Sequence, residues 1–530
     1  MNDHFRQSMA WLHTWAGLVA AWVLFFVFIT GAAGYFNTEI DHWMRPELPM
    51  VSSQPVLSAE ASVTLGLAHL RVAAVGADEW IINLPGGRSG RQVGILWREP
   101  AAPGERAGKL HRAMLAADGG VVGNEGVRAT GGGNAFYRMH YLFRYLPRDA
   151  AIWLVGAATM LMLLALITGV IVHKKIFADF FTFRPAKGQR SWLDAHNVLG
   201  VLALPFFLMI TYSGLLFFQN PLMPLGFYGI GEASVVKAVA PVMPAPLTVP
   251  AELHDPLPLV RMAEAQWGAE RVGSVSIKHP GLADAVVMLR ARQEDGDALV
   301  AGNPSLRFDG VSGALLDPPP FQASMSYARR VMLALHEGRF AGVALRWLYF
   351  ASGLLGAAMI ATGLVLWTVK RRQRRLKAGE PEGFGLRLVE SLNIATVAGL
   401  CTAVAVYFWA NRLLPVDMAG RADWEFHALF IAWGLLLAHA LLRQRFASAL
   451  RAWAEQLWLA AAAFGLLPVV NALTTDRHLG VTLPAGDWVL AGFDLTMLGL
   501  AGLFAAMAWQ VGGKLRGGNP VPLSMAGAQA

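Results

Sequence analysis

The residues best suited to do chemistry in this chain are histidines that stand at or near the ends of strongly apolar segments and recur in a repeat. In each copy a histidine is followed by one glycine after four residues and by another after eighteen. Eighteen residues are five turns of an α-helix, so that the histidine and the distal glycine share one face. The two copies are His13, Gly17, Thr30 and Gly31, and His196, Gly200, Ser213 and Gly214.

A second pair of apolar segments repeats as well. Each segment has a tryptophan fifteen residues before a Thr-Gly step, and a histidine precedes the tryptophan. The copies are His140, Trp153, Thr168 and Gly169, and His336, Trp347, Thr362 and Gly363. Duplicated apolar segments with histidines at matching depths suggest a cofactor held between two halves.

The composition is that of an integral membrane protein. The chain has 530 residues, 55% of them hydrophobic, which is far from the balance of a soluble domain. Its net charge of +8 does not indicate nucleic acid as a partner, because the basic residues lie between apolar segments. The single cysteine, Cys401, excludes a disulfide framework, a cysteine-ligated iron–sulfur cluster and a thioether haem attachment. Any bound metal must therefore have histidine or carboxylate ligands.

Eight apolar runs are long enough to cross a bilayer as helices. They lie near 9–36, 150–173, 193–218, 344–369, 390–411, 424–442, 453–473 and 486–510. The first is longer than a signal-peptide core and is read as a retained anchor. Lys174, Lys175 and the six Lys or Arg residues of 370–377 stand on one side, and the opposite loops are poor in them. The positive-inside rule then predicts both termini in the cytoplasm of a bacterium and the protein in its inner membrane.

Two long segments between spans, 37–149 and 219–342, are expected in the periplasm. Each reads as a small α+β lobe, with an amphipathic helix followed by alternating apolar stretches. Residues 306–316 predict strand, turn and strand, with Asp309-Gly310 and Gly313 in the turn. The predicted fold is thus an α-helical membrane protein with a duplicated span–lobe–span core, residues 1–372, and an appended four-helix membrane domain, residues 380–530.

The predicted topology sorts the histidines by depth. His13, His173 and His196 lie near the cytoplasmic ends of spans, while His140 and His336 lie at the outer side. Because a polar ring within a bilayer is costly, such residues are functional candidates. Two clusters suit two b-type haems with imidazole axial ligands. The repeat favours His13 with His196, here called the inner pair, and His140 with His336, the outer pair.

Several alternatives remain open at these sites. His173 has Trp367 as its counterpart in the repeat, and it could replace either member of the inner pair or stand at the interface. Zinc is the competing metal, although it prefers three or four ligands. Arginines after the outer histidines could bind haem propionates bidentately, or serve as interfacial anchors; they are Arg144, Arg148, Arg339 and Arg346. A third haem on His427 and His439 is not expected, since they stand twelve residues apart on one helix.

Across residues 5–372 the chain resembles the PepSY-associated transmembrane family, iron-regulated inner-membrane proteins that include di-haem ferric-siderophore reductases. The resemblance rests on four stretches: 12–17 (Leu-His-Thr-Trp-Ala-Gly), 190–200 (Arg-Ser-Trp-Leu-Asp-Ala-His-Asn-Val-Leu-Gly), 335–338 (Leu-His-Glu-Gly) and 309–313 (Asp-Gly-Val-Ser-Gly). It implies a four-helix core, PepSY-like periplasmic lobes, and electron transfer from a cytoplasmic donor or membrane quinol to a periplasmic ferric siderophore. The appended helices go beyond the family's core pattern and could dock a donor or partner protein.

Two other classes of function are compatible with the sequence. A siderophore or metal transporter would use duplicated helices, but both copies insert in the same orientation and the sequence shows no span that is broken at mid-membrane. A non-catalytic regulatory membrane protein of the PepSY type would need neither haem nor membrane histidines.

Overall fold

The chain is described from a computed structural model. It covers residues 3–48, 57–86, 92–102, 108–122, 126–173, 183–185, 187–222, 249–292, 304–316 and 324–517, so that Lys174 and Lys175 lie outside the described ranges. The protein is mostly helical and contains one antiparallel sheet.

The helices and strands are as follows in chain order. The first part comprises α1 (Asp3–Gly34), α2 (Asn37–Trp43), α3 (Ala59–Ala73), β1 (Glu79–Asn83), β2 (Val93–Arg98), β3 (Leu110–Leu115), β4 (Val121–Val122), α4 (Asn134–Met139) and α5 (Arg148–Val172). The second part comprises α6 (Gln189–Leu202), α7 (Leu204–Phe217), α8 (Gln219–Leu222), α9 (Pro256–Trp267), β5 (Val272–Lys278), β6 (Val286–Ala291), β7 (Ser305–Asp309), α10 (Ser324–Glu337) and α11 (Val343–Lys377). The last part comprises α12 (Phe384–Ile394), a π-helical turn (Ala395–Gly399), α13 (Leu400–Leu413), α14 (Arg421–Phe446), α15 (Ala449–Gly465), α16 (Leu467–Thr474), α17 (Leu479–Thr482) and α18 (Trp488–Gly517).

Seven stretches of helix within the described ranges are long and apolar enough to cross a membrane. They are α1, α5, α11, α12 continued through the π-helical turn into α13, α14, α15 continued into α16, and α18. An eighth crossing arises if the bent pair α6 and α7 is one span. Seven of the eight spans predicted from hydropathy thus correspond to single helical stretches, and the third, 193–218, corresponds to the bent pair.

The third span differs from the straight helix predicted over 193–218. Helices α6 and α7 meet at an angle of 68° on either side of Ala203. Pro205 stands at the second position of α7 and has no N–H to donate to the carbonyl of Val201, so the helical hydrogen-bond ladder is interrupted there. The pair is therefore a broken span or a re-entrant segment, and not one continuous helix.

The seven strands form one sheet in the order β4-β3-β2-β1-β5-β6-β7, with every pair antiparallel. Its central pair joins β1 to β5, with Glu79 opposite Lys278 and Asn83 opposite Ser274. The two inter-span segments therefore contribute to a shared sheet, whereas the sequence predicted a separate α+β lobe for each. Helices α3 and α9 pack against it through buried residues such as Leu70 and Val260.

The predicted turn after β7 is present. One carboxylate oxygen of Asp309 accepts hydrogen bonds from the backbone N–H groups of Val311 and Ser312 and from the Ser312 hydroxyl. These bonds lower the pKa of Asp309, the Ser312 backbone contributing most. Gly313 has a φ of +72°, a conformation that glycine adopts without steric cost.

The chain divides into two compact units. The membrane unit comprises Met1–Pro46, Ala129–Phe207 and Ala351–Ala530, and the sheet unit comprises Glu47–Arg128 and Leu208–Phe350. The appended helices thus group with α1, α5, α6 and the larger part of α11. In the membrane unit the indole N–H of Trp22 donates to Asn393 at 3.0 Å, and that of Trp43 donates to Asp494 at 2.9 Å.

A buried polar network also joins the appended helices to the loop before α4. Arg421 and Glu425, both with fully buried side chains, form an ion pair at 2.7 Å. The second oxygen of Glu425 accepts from the hydroxyl of Thr130 and the backbone N–H of Gly131. Asn411 donates to the first oxygen at 2.8 Å. Because its members are paired with one another, this network holds the loop that leads into α4.

Candidate functional site

The inner pair lies together within the membrane unit. The imidazole rings of His13, on α1, and His196, on α6, have centroids 6.3 Å apart and planes inclined at 68°. These two histidines occupy equivalent positions in the sequence repeat, and each comes from a different helix.

One ring nitrogen of each inner histidine is held by a backbone carbonyl. Nδ1 of His13 lies 2.8 Å from the carbonyl oxygen of Ala165, on α5, and Nδ1 of His196 lies 2.9 Å from that of Met359, on α11. A carbonyl can only accept a hydrogen bond, so Nδ1 must carry the proton in both rings. The Nε2 lone pair of each ring is then available for a metal, and a carbonyl that holds the other nitrogen is the usual support of a ligating histidine.

The glycines of the Thr-Gly steps in the repeat leave the space in which these rings lie. A Cβ added at Gly169 would lie 3.1 Å from Cε1 of His13, and one added at Gly363 would lie 3.1 Å from Cε1 of His196. In each case the accepting carbonyl belongs to the residue four positions before the glycine. The absence of a side chain at these glycines is what lets the imidazole reach the carbonyl. The Thr-Gly steps are visible in the sequence repeat, but the sequence does not show which histidine packs against each glycine.

The spacing of the inner rings fits two imidazoles on opposite sides of one metal ion. An imidazole–metal bond is about 2 Å long and the ring centroid lies roughly 1 Å behind the nitrogen, which gives about 6 Å between centroids. The observed distance is 6.3 Å. Within the described ranges no group of three or more His, Cys, Asp or Glu side chains is placed to hold a metal ion. Two imidazoles at this spacing are a donor set that could hold a haem iron between them.

His140 repeats this arrangement at the other end of α1. Its Nδ1 lies 2.8 Å from the carbonyl oxygen of Val27, four residues before Gly31, and a Cβ on Gly31 would lie only 2.6 Å from that nitrogen. Burial lowers the pKa of His140, and the hydrogen bond to Val27 raises it by less. The imidazole is thus kept neutral, as a metal ligand must be.

His336, in the sheet unit, is held through a hydroxyl. Its Nδ1 lies 2.9 Å from Oγ of Ser213, whose own proton goes to the carbonyl of Met209 at 2.6 Å. The hydroxyl must therefore accept from Nδ1, which places the proton of the neutral imidazole on Nδ1. Ser213 is the residue before the distal glycine of the second copy, so this part of the repeat also serves a histidine. The ring of Phe217 lies 5.2 Å from that of His336.

The remaining predicted site residues occupy distinct positions. His173 directly follows α5. Its backbone N–H donates to the carbonyl of Gly169, the glycine against which the His13 ring packs. Arg346 is 4% exposed in the first turn of α11. Two of the other arginines named for propionates are paired elsewhere: Arg144 with Asp423, and Arg339 with Glu337.

The two histidines of the appended helices have partners that are not histidines. His427 accepts from or donates to the hydroxyl of Tyr145 at 2.6 Å. In His439 both nitrogens are engaged, Nε2 by Glu455 at 3.0 Å and Nδ1 by Gln456 at 3.2 Å. His439 therefore offers no free lone pair to a metal.

Comparisons with known proteins agree with this architecture. The sequence profile of the PepSY-associated TM region matches residues 10–370. A curated relative, an uncharacterised protein of Pseudomonas aeruginosa, is 26% identical over 395 residues, which cover 69% of this chain and 92% of the relative. The profile match spans the repeat, all five candidate histidines and the sheet, and on that basis the chain belongs to the PepSY-associated TM family.

Proposed function

We propose that this protein is a haem-b oxidoreductase of the bacterial inner membrane that passes electrons to a periplasmic ferric siderophore. The observation that carries the proposal is the inner pair: two imidazoles from different helices, 6.3 Å apart, each with Nδ1 held by a backbone carbonyl. A haem held by these two histidines would supply reversible one-electron transfer.

In the proposed centres the protein supplies ligation, tautomer control and an apolar surrounding. His13 and His196 hold the inner haem. His140 and His336 would hold the outer haem, because the sequence repeat pairs them. Along α1, fourteen residues separate His13 from Val27, whose carbonyl holds His140; this corresponds to about 21 Å of helix. The two centres of one chain would thus serve opposite leaflets.

The proposed orientation follows from charge. The basic run 370–377 ends α11, and the positive-inside rule places that end and both termini in the cytoplasm. The inter-span segments that form the sheet are then periplasmic. Electrons would come from a cytoplasmic donor or from membrane quinol.

The proposed substrate is a ferric siderophore in the periplasm. Hard oxygen donors bind Fe(III) more tightly than Fe(II), so transfer of one electron to the bound iron weakens the chelate and releases Fe(II) with the siderophore intact. The protein needs to hold the chelate only long enough for electron transfer, and no covalent step on the siderophore is required.

The test is the haem content of the purified full-length chain and of three variants. His13→Ala and His196→Ala should each remove the inner haem, and His336→Ala should remove one low-spin signal. His439→Ala is the matched control, because this membrane histidine has both nitrogens engaged and should leave haem content unchanged. Equal haem content in all four proteins would reject the ligand assignment.

A transporter is the second candidate, because the third span is broken at Pro205 and broken helices often form transport sites. In the first copy of the repeat, however, α1 runs unbroken from Asp3 to Gly34. Uptake of a labelled ferric siderophore into proteoliposomes without any reductant would favour the transporter over the reductase.

A further inference from the structure

An arginine beside the inner pair is stacked between two tryptophans and has no acidic partner in the described part of the chain. The guanidinium carbon of Arg371 lies 3.9 Å from the ring centroid of Trp367 and 5.4 Å from that of Trp15. Its neighbour Arg372, by contrast, pairs with Glu382 and Glu390. A guanidinium that is held by aromatic rings and has no carboxylate partner can bind an anion from outside the protein.

The position of Arg371 relates it directly to the inner histidines. Gly363, Trp367 and Arg371 are spaced four residues apart on α11 and so share one face of the helix. His196 packs on the first of them. On the other side, Trp15 follows His13 by two residues on α1. The guanidinium therefore lies between the two helices that border the inner pair.

The side chain also leans toward the level of the imidazoles. Helical side chains point toward the N-terminus of their helix, and the guanidinium of Arg371 accordingly stacks one turn back, on Trp367. One further turn, about 5.4 Å along the axis, leads to Gly363 and the ring of His196. A carboxylate that extends from the edge of a porphyrin held by these imidazoles would meet the arginine at this distance.

A second donor at the same place is without a partner. The indole Nε1 of Trp367 is buried and has no hydrogen-bond acceptor among the residues described. A buried N–H that stays unsatisfied is costly, and a carboxylate beside Arg371 would satisfy it. An indole N–H and a guanidinium together present the donors that one carboxylate accepts.

We propose that Arg371 and Nε1 of Trp367 bind a propionate carboxylate of the inner haem, with Trp15 and Trp367 holding the guanidinium by cation–π contact. This inference rests on the proposed function, since it requires haem between His13 and His196. Arg371 would then raise the reduction potential of the inner haem, because a nearby positive charge favours the reduced haem, which carries one more electron.

The test is a redox titration of the purified full-length protein in nanodiscs of neutral phosphatidylcholine. Arg371→Gln should keep the visible spectrum of two bis-imidazole haems but lower the reduction equilibrium constant of one haem about tenfold, which is about 59 mV for a one-electron couple. Arg371→Lys, which keeps the charge, should restore most of the potential. Trp367→Phe keeps the aromatic ring but removes the N–H and should cause a smaller decrease, about threefold.

Arg374→Gln is the matched control, because Arg374 is an exposed arginine on the same helix, outside the tryptophan stack. It should leave both potentials unchanged. If Arg371→Gln behaves like this control, the inference is wrong while the haem assignment stands. If the effect of Arg371→Gln appears only in anionic phosphatidylglycerol nanodiscs, the bound anion is a lipid phosphate and the inference is again wrong. A wild-type protein without haem would overturn the proposed function and this inference with it.

Discussion

Replacement of Gly31 by alanine should specifically damage the outer haem site. A Cβ at this position would lie 2.6 Å from Nδ1 of His140 and 2.7 Å from its Cε1. Ordinary van der Waals contact begins at 3.4 Å, so the ring must retreat by about 0.8 Å, the difference between 3.4 and 2.6 Å. The 2.8 Å hydrogen bond from His140 to the carbonyl of Val27 would then exceed 3.5 Å and be lost.

The size of the effect follows from that lost bond. A buried N–H left without its acceptor costs about 1–3 kcal/mol, and removal of a partner that orients a ligating histidine weakens metal binding by about 10- to 100-fold. The change at Gly363 is gentler, because its Cβ would lie 3.1 Å from Cε1 of His196 and a shift of a few tenths of an ångström relieves the contact. We therefore expect Gly31→Ala to lower haem affinity by at least tenfold, and Gly363→Ala by about threefold.

The assay is a titration of haem into the apoprotein, followed by the Soret absorbance, with stoichiometry from the extracted haem. Gly434→Ala is the control, since a Cβ there meets no atom within 4 Å and alanine favours a helix over glycine by about 1 kcal/mol. Two haems bound by Gly31→Ala with unchanged affinity would refute the geometry assigned to His140. A loss as large in Gly434→Ala would show that helical glycines act on folding and not on the site.

Four further outcomes are expected. Because burial lowers the pKa of His140, this residue stabilises the fold above its ordinary pKa of about 6.5. Both the stability of the protein and its retention of haem should fall as the pH drops below that value. Haem retention that already declines between pH 8 and 7 would contradict this expectation. Glu425→Ala leaves the buried Arg421 without its counter-ion and should lower the free energy of unfolding by about 3–5 kcal/mol, measured by thermal unfolding in detergent. Glu455→Ala, at a half-exposed ion pair, should cost less than about 1 kcal/mol; equal losses would show that the buried network is not special. A Cβ added at Gly17 would meet no atom within 4 Å, so that this space can take the porphyrin edge. Gly17→Ala should then weaken binding of the inner haem. An unchanged affinity would place the porphyrin elsewhere.

The number and position of the membrane helices could be predicted from the sequence because hydropathy is a local property. The pairing of His13 with His196 could also be predicted, since an internal repeat places equivalent residues at equivalent depths. The bend at Pro205 was readable in principle, because proline removes one hydrogen bond from the helical ladder. It was overlooked because the apolar run continues through it without a change in composition.

The shared sheet could not be predicted in the same way. β1 and β5 are almost two hundred residues apart, and alternating apolar residues show which face of a strand is buried but not which strand is its neighbour. The contacts of Trp22 with Asn393 and of Trp43 with Asp494 join residues that are even further apart in sequence. These contacts join the appended helices to α1 and α2, and no local pattern in the sequence indicates them.

The backbone groups that hold the histidine rings could be predicted only in part. The repeat contains Thr-Gly and Ser-Gly steps, but a sequence does not reveal that a carbonyl four residues before a glycine will accept an imidazole proton. Ala165, Met359 and Val27 carry no signal in their side chains, since only their backbone takes part. Such partners become visible only when the helices are placed beside one another.

The most direct test of the central claim is the absorption spectrum of the full-length protein purified from iron-replete cells, with its haem-to-protein ratio. Paired imidazoles at the inner and outer levels predict a red protein with a Soret band, sharp low-spin bands on reduction and two b-type haems per chain. A colourless protein that also fails to take up added haem would contradict the account.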